Sequence, residues 1–444
     1  MNVILRGVRV IDPLAGVDRA PQDVWIEAGR IRALDDRIEA GGVPVIDFTR
    51  AGGEPVVLCP GFIDLHVHLR DPGDSGAETT ATGARAAAAG GFTHIVAMAN
   101  TDPPHDSPEL LRDAIERSQN AAVRVMHVAA MTHGLDGAAL VDVEACIGAG
   151  AVALSDDGRN AAPGALLSEA LARAGELGRP VLVHPEDEAA ISRFNPFGGV
   201  TRCSDRPPET EVAAVKAAVK ALASTAGGRL HLQHLSAAGS LEPLRLARQR
   251  GLTITAEVTP HHLARWAAMS PPEPASLRKV NPPLRSANDR AAMLQALLDG
   301  TIDAIATDHA PHRSDEKTNN YDSSAPGMIG LETALAACIT LGDLAGRRLP
   351  VLVERLTAGP HRVLGEASGV KEPRVRVGEV ADIVVFDPDA GWTVSDDTLF
   401  SRSRNTPWLG TELRGRVLLT VAHGRVVHSL DARIPVADRE PAGV

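Results

Sequence analysis

Short apolar runs recur through the middle of the chain, each separated from the next by a stretch with helical character. They are Val56-Val57-Leu58, Ile95-Val96-Ala97-Met98, Val123-Arg124-Val125-Met126, Val152-Ala153-Leu154, Val181-Leu182-Val183, Leu230-His231-Leu232, Thr253-Ile254-Thr255 and Ala304-Ile305-Ala306. Each is too short for a core helix, and most are continuous rather than alternating, as in a parallel sheet covered on both faces. The intervening stretches carry helix punctuation. Ser107-Pro108-Glu109 supplies a cap, a proline at the first helical position and an acid in the first turn. Gly178 and Gly251 stand where a helix stops before the next strand. Eight strand–helix units predict an α/β fold, a (β/α)8 barrel of the TIM type, with its chemistry at the C-terminal ends of the strands.

The two ends of the chain have a different texture. Residues 1–54 contain short strand-like runs punctuated by Gly7, Asp12-Pro13 and Gly29, and residues 361–444 repeat the style from Asp382-Ile383-Val384-Val385-Phe386 onward. Neither end has enough strands for a sheet of its own. The expectation is one small β domain, a sandwich built from 1–54 and 361–444, around a barrel at 55–360. Aromatic residues are 3% of the chain, so the core is aliphatic. A formal charge of -11 argues against a nucleic-acid or anionic-membrane surface. No apolar run approaches the length of a membrane span, and the first residues lack a signal-peptide layout, which predicts a cytoplasmic protein. Cys59, Cys146, Cys203 and Cys338 lie far apart, form no C-x-x-C pair and read as buried free thiols.

The strand ends carry the chemistry. The first barrel strand runs into Gly61-Phe62-Ile63-Asp64-Leu65-His66-Val67-His68-Leu69-Arg70. Side chains two apart on a strand share a face, so His66 and His68 can hold one cation together. Strand four ends in Ser155-Asp156-Asp157-Gly158, strand five in His184, strand six in His231-Leu232-Gln233-His234, and strand eight in Thr307-Asp308-His309. A lone His184 or His234 reads as an ordinary core histidine; five strand ends of one barrel each offering His or Asp do not. Imidazole and carboxylate together suit Zn²⁺ or a similar divalent ion. Six such donors exceed one tetrahedral site, so two metals about 3.5–4 Å apart are the better fit, with one as the alternative.

Gly61 to Arg70 and Ala306-Thr307-Asp308-His309-Ala310-Pro311-His312, with Glu316-Lys317 following, resemble the two signatures of dihydroorotases in the amidohydrolase superfamily. Met98-Ala99-Asn100-Thr101-Asp102-Pro103 is similar to that family's strand-two segment, although Ala99 stands where proline is usual. Leu154-Ser155-Asp156-Asp157-Gly158, Asn281-Pro282-Pro283-Leu284-Arg285 and Ala325-Pro326-Gly327 resemble further family segments, and both termini resemble its composite β domain. The likeness implies reversible hydrolysis of (S)-dihydroorotate to N-carbamoyl-L-aspartate in pyrimidine synthesis. It implies that His66 and His68 hold one Zn²⁺ with Asp308, and His184 and His234 the other. An Asp on strand four would bridge them; neighbouring strand residues face opposite ways, so only one of Asp156 and Asp157 can, and the family pattern favours Asp157. Asp308 would carry the proton. Arg70, Asn100 and His312, beside His68, would bind the substrate carboxylate; Asn281 and the Pro326-Gly327 backbone would contact the ring. His231, which starts its strand, reads as structural.

Lysine usage separates relatives. In dihydropyrimidinases, hydantoinases and allantoinases, the resemblance implies a carboxylated lysine on strand four as the bridge. This chain has five lysines, the first of them Lys216, after strand five. That points to the bacterial dihydroorotase type with an Asp bridge. The other cyclic amidohydrolases remain an alternative, as does a non-catalytic scaffold for aspartate carbamoyltransferase, although all six ligand positions are filled. The likeness also implies a homo-oligomer, and admits an active complex with aspartate carbamoyltransferase. The polar stretch 312–330 reads either as a lid or as an exposed loop. His261-His262 reads as structural or as adjoining the site, and Pro271-Pro272-Glu273-Pro274 as a local loop.

Overall fold

The computed structural model describes residues 1–159, 164–186, 191, 206–265, 267 and 274–436. Cys203 and Pro271 to Glu273 lie outside the described residues. A ring of parallel strands forms the centre: β6 (Phe62–Val67), β7 (Phe92–Ala97), β8 (Arg124–His127), β9 (Val181–Val183), β10 (Leu230–Leu232), β11 (Ile254–Val258) and β12 (Ala304–Ile305). β6-β7-β8 and β9-β10-β11-β12 are two ladders. Single parallel bridges close them into a barrel. Leu154 pairs with Ala129 on one side and Val181 on the other, and Val67 pairs with His309. The fourth strand is thus reduced to a bridge at Leu154.

One expectation is corrected here. Val56-Val57-Leu58, read as the first barrel run, belongs to the other sheet: β5 (Val57–Pro60) pairs with β1 (Asn2–Asp12) and β13 (Ile383–Thr393). Gly61 alone separates β5 from β6, so two strands of different sheets read as one apolar segment. A Cβ at Gly61 would come within 2.3 Å of the Thr93 side chain, so this crossing needs the smallest residue. The remaining strands of that sheet are β2 (Val17–Glu27), β3 (Arg30–Asp35), β4 (Val45–Asp47), β14 (Glu412–Ala422) and β15 (Arg425–Ser429). They form one sheet in the order β15-β14-β13-β5-β1-β2-β3, with β4 also on β1. Strands from both ends of the chain therefore lie side by side in a single sheet of eight, joined where β13 pairs with β5. Phe386 of β13 meets Phe62 of the barrel at 6.2 Å between ring centroids, and Phe62 meets Phe92 edge-on at 5.7 Å.

Helices cover the barrel by close approach. The helix Thr80–Ala89 starts on a capping box between Thr79 and Thr82, and six of its ten residues are alanine. A Cβ on its Gly83 would lie 2.4 Å from Leu69. The helix Pro108–Ser118 is capped by Ser107, whose oxygen accepts from Leu110 N at 3.4 Å, with Pro108 at its first position. Gly178 and Gly251 are left-handed, with φ of 69° and 77°, and stop their helices as expected. Among the described residues no helix is long and apolar enough to cross a membrane. Cys59, Cys146 and Cys338 are buried free thiols.

Several other histidines are buried and neutral, which has a consequence for stability. Burial pulls His94 and His127 down to about 3, and His105 and His428 down to about 4. In the unfolded chain each takes up a proton near pH 6.5, whereas in the native fold it does not. Stability is present above pH 6.5 and is lost as pH falls towards the folded values, by about 1.4 kcal/mol per unit for each histidine. Asp64, pushed up by burial to about 6, works in the opposite sense and offsets only part of this. The expected result is a steep fall of Tm between pH 7 and pH 5, read by thermal melts of metal-loaded protein. A flat Tm across that window would mean these imidazoles are not held neutral.

Candidate metal and active site

The six side chains expected to hold metal lie where barrel strands give way to loops. His66 is the last residue but one of β6, and His68 follows that strand's end. Asp157 comes three residues after the bridge at Leu154, His184 directly after β9, His234 two after β10 and Asp308 three after β12. All six are buried. Donor atoms of His66, His68 and Asp308 lie within 4.8 Å of one another, as do those of His66, Asp157 and His234.

Asp157 occupies the middle. Its Oδ1 is 3.3 Å from His66 Nε2, 3.5 Å from His184 Nδ1 and 3.7 Å from His234 Nε2, and its Oδ2 is 3.5 Å from His68 Nε2. Asp308 Oδ1 is 3.2 Å from His68 Nε2 and 3.5 Å from His66 Nε2. His184 Nδ1 and His234 Nε2 approach to 2.9 Å. Asp156 points elsewhere. Its carboxylate accepts from Met131 N at 2.7 Å, Thr132 N at 3.0 Å and Thr132 Oγ1 at 2.5 Å.

The far side of three imidazoles decides which nitrogen is bare. His68 Nδ1 donates to Asn100 Oδ1 at 2.8 Å; the amide is oriented by its Nδ2, which donates to Asp157 O at 3.3 Å. His66 Nδ1 donates to Glu257 Oε1 at 3.1 Å, and His184 Nε2 donates to Glu186 Oε2 at 3.0 Å. Each of these bonds leaves the other ring nitrogen with a lone pair. The bare nitrogens of His66 and His68 face both Asp157 and Asp308, and that of His184 faces Asp157. Acceptors set against acceptors at these distances repel unless a cation lies among them. His66 Nε2 and Asp157 Oδ1 are buried without a hydrogen-bond partner, which is how a ligand pair for a divalent ion looks from the protein side. The donor set fits such an ion.

Proton affinities follow the same field. Burial pulls His66 down, but Asp157 and Asp308 outweigh it and hold the imidazole well above its usual value. His184 is likewise raised, to about 9, by Asp157 and Glu186 against burial. Burial pushes Asp157 and Asp308 up, and the surrounding histidines bring both well below the carboxylate range. The site is built to hold positive charge in a dry setting.

The expected substrate contacts lie around this cluster. Arg70, in a left-handed conformation with φ of 57°, donates from Nε to Pro311 O at 3.2 Å, and among the described residues no carboxylate pairs with it. His312 donates from Nε2 to Pro326 O at 2.9 Å; burial and Arg70 lower it to about 4, so it is a neutral imidazole. Gly327 has φ of 130°, and a Cβ there would lie 2.7 Å from Ala310 and 3.1 Å from His312 Nε2. Asn281 precedes a cis bond to Pro282 and makes no hydrogen bond to the His/Asp cluster. Asn100 is engaged with His68 and Asp157, closer to the donor set than a pure anion contact requires. His231 is bonded to Thr255 and Glu257, away from Asp157. His261 is buried with Nε2 unpartnered, and His262 is tied to Thr259 and Pro282 O.

Other residues at the site escaped the reading of the sequence. Glu257 binds His66, His231 and the backbone N of His234, the last at 3.4 Å. It was visible as a lone acid inside the apolar strand Ile254–Val258. Glu186, two residues past His184, is bonded to Arg206 as well. Asn405 lies 78 residues beyond Gly327, past every barrel motif. Its amide accepts from His312 N at 3.1 Å and donates to Ala310 O at 2.9 Å and Gly327 O at 3.2 Å. No local pattern marks it.

The chain is similar to known proteins in both sequence and fold. A family model described as dihydro-orotase-like matches residues 55–200. A dihydroorotase of Anaeromyxobacter dehalogenans (strain 2CP-1) is 42% identical over 438 residues, covering 97% of this chain and 98% of the relative. The dihydroorotase of Aquifex aeolicus is 35% identical over 432 residues, covering 96% and 99%. Among solved structures, dihydropyrimidinase from Brevibacillus agri NCHU1002 superposes with a TM-score of 0.82 at 24% identity, over 97% of this chain and 95% of that one. L-Hydantoinase from Arthrobacter aurescens gives 0.83 at 24% identity, over 98% and 97%. These two show a shared barrel-plus-β architecture. With near-complete coverage by its sequence relatives, the chain belongs to the dihydroorotase family.

Proposed function

We propose that this chain interconverts (S)-dihydroorotate and N-carbamoyl-L-aspartate, the ring-closing step of pyrimidine synthesis, at a centre of two Zn²⁺ ions. His66, His68 and Asp308 would hold one ion, His184 and His234 the other, with Asp157 between them. The observation that carries the reading is the convergence of bare imidazole nitrogens and two carboxylates on one buried point. Divalent zinc in such a site supplies Lewis acidity towards a carbonyl and lowers the pKa of water to about 7.

The chain's own residues do the rest. Arg70 presents a planar, permanently charged fork to the substrate carboxylate, with the neutral His312 and the Asn100 amide beside it. Asn281 and the backbone at Pro326 and Gly327 contact the ring. Asp308 takes the proton of the attacking water as general base and returns it to the departing ring nitrogen as general acid. Ring closure uses the same group in reverse. Family membership supports the reading, and with it a cytoplasmic homo-oligomer for which aspartate carbamoyltransferase is the candidate assembly partner.

The test is metal stoichiometry measured alongside turnover of dihydroorotate, with dihydrouracil and allantoin as controls. Turnover confined to dihydroorotate is expected. Preference for either control would favour a hydantoinase-like enzyme, and metal without turnover a scaffold. Within the same assay, Arg70→Ala should raise KM for dihydroorotate about 10- to 100-fold, the scale of a lost charged hydrogen bond. An unchanged KM would reject Arg70 as the anion clamp.

A further inference from the structure

Asp308 has a φ of 49°, a left-handed backbone that residues with a Cβ rarely adopt. Of seven such non-glycine residues among those described, three belong to the proposed site: Arg70, His234 and Asp308. A conformation of this kind persists only where its neighbours hold it from both sides. Thr307 does so on one side. Its N and Oγ1 donate to the buried Asp64 carboxylate at 3.0 and 2.5 Å, and the same Oγ1 accepts from His309 N at 3.1 Å. Asp308 is thereby bracketed in a closed turn.

The other side rests on His309, a residue the proposed reaction does not use. Its ring is fully buried. Nδ1 accepts from Gly330 N at 3.1 Å, and because a backbone N–H only donates, the ring proton must sit on Nε2. Nε2 points at Glu78 Oε2, 3.3 Å away, which accepts it. The His309 carbonyl meanwhile accepts from His68 N at 2.8 Å, so ring and backbone are both committed. Glu78 is itself fully buried and saturated: it accepts from Arg402 N at 3.1 Å and from the hydroxyls of Ser401 and Thr82.

We propose that Glu78, acting through His309, is a positioning residue that sets the orientation of the Asp308 carboxylate for proton transfer. A buried carboxylate fixes the imidazole tautomer and its rotation, the imidazole fixes the backbone that follows Asp308, and the strained φ is kept. Reacting groups displaced by about 1 Å lose on the order of 10²-fold in rate, so the effect belongs in kcat. The inference rests on Asp308 as the proton carrier.

Glu78→Gln preserves shape and removes the charge that orders His309. It is expected to lower kcat for dihydroorotate about 10- to 100-fold, with KM within about 2- to 3-fold of wild type and with zinc content and zinc affinity, read by chelator competition, unchanged. In an Asp308→Asn background the same substitution should lower kcat no further, since the group it positions is gone. Ser401→Ala, which removes one donor to Glu78 outside the site, should give a smaller loss confined to kcat, and it serves if Glu78→Gln does not fold. Parallel losses of kcat, KM and zinc affinity, or losses that multiply in the double variant, would overturn the proposal in favour of a merely structural role. Near-normal turnover of Asp308→Asn alone would reject the proton-carrier reading instead. A silent Glu78→Gln beside an inactive Asp308→Asn would reject only the positioning.

Discussion

Replacing Asp308 by asparagine is expected to lower turnover of dihydroorotate about 10²- to 10⁴-fold, the range of a single well-placed acid–base group. Asparagine keeps the size, the left-handed backbone tolerance and a carbonyl oxygen close to His68 and His66, but it cannot accept a proton. His66 and His68 keep their nitrogens fixed by Glu257 and Asn100, which do not depend on Asp308. Bound zinc should therefore stay close to the wild-type stoichiometry. Elemental analysis and steady-state rates in both directions check this. A variant that turns over normally, in either direction, would leave Asp308 as a metal ligand only and move the proton elsewhere.

Asp157→Asn should produce a comparably large loss by another route. Four imidazole nitrogens lie within 3.7 Å of this one carboxylate. Neutralising it is expected to release about one equivalent of metal and lower kcat by about 10³-fold, the scale on which a buried electrostatic group acts. Asp156→Asn is the matched control. Its carboxylate ties down Met131 and Thr132, so the expected loss is about 1–3 kcal/mol of stability with normal metal content. If Asp156→Asn lost metal and Asp157→Asn kept both ions, the bridge assignment would be reversed.

The barrel and its donor set were readable from the chain because both obey local rules. A short apolar run followed within three residues by His or Asp is a pattern that a strand end imposes, and it marked the Asp156-Asp157 pair, His184, His234 and Asp308 as candidates, while the H-x-H spacing marked His66 and His68. Choosing between Asp156 and Asp157 needed more than alternation. The two face different backbones, and only Thr132 and Met131, themselves a loop away, reveal which is which. The first strand was misread for an equally physical reason: β5 and β6 are both fully buried, so no polar residue marks where one sheet ends and the other begins. Glu78 and Asn405 were invisible for the opposite cause, whereas Glu257 left the trace of an acid in an apolar strand. Each acts on residues dozens to hundreds of positions away, and a carboxylate or amide in isolation looks like any surface polar group until the fold buries it.

The joining of both chain ends in one sheet, through the β5–β13 pair, sets an order of events during synthesis. β5 gains its neighbour β1 as soon as the first 60 residues are out, but its other edge waits for β13, more than 320 residues later. Throughout that interval the nascent protein carries an open strand edge directly beside the barrel's first strand, a template to which a foreign strand could attach. A chain cut short after the eighth barrel unit would thus carry every side chain proposed to hold metal and a sticky seam still unsealed.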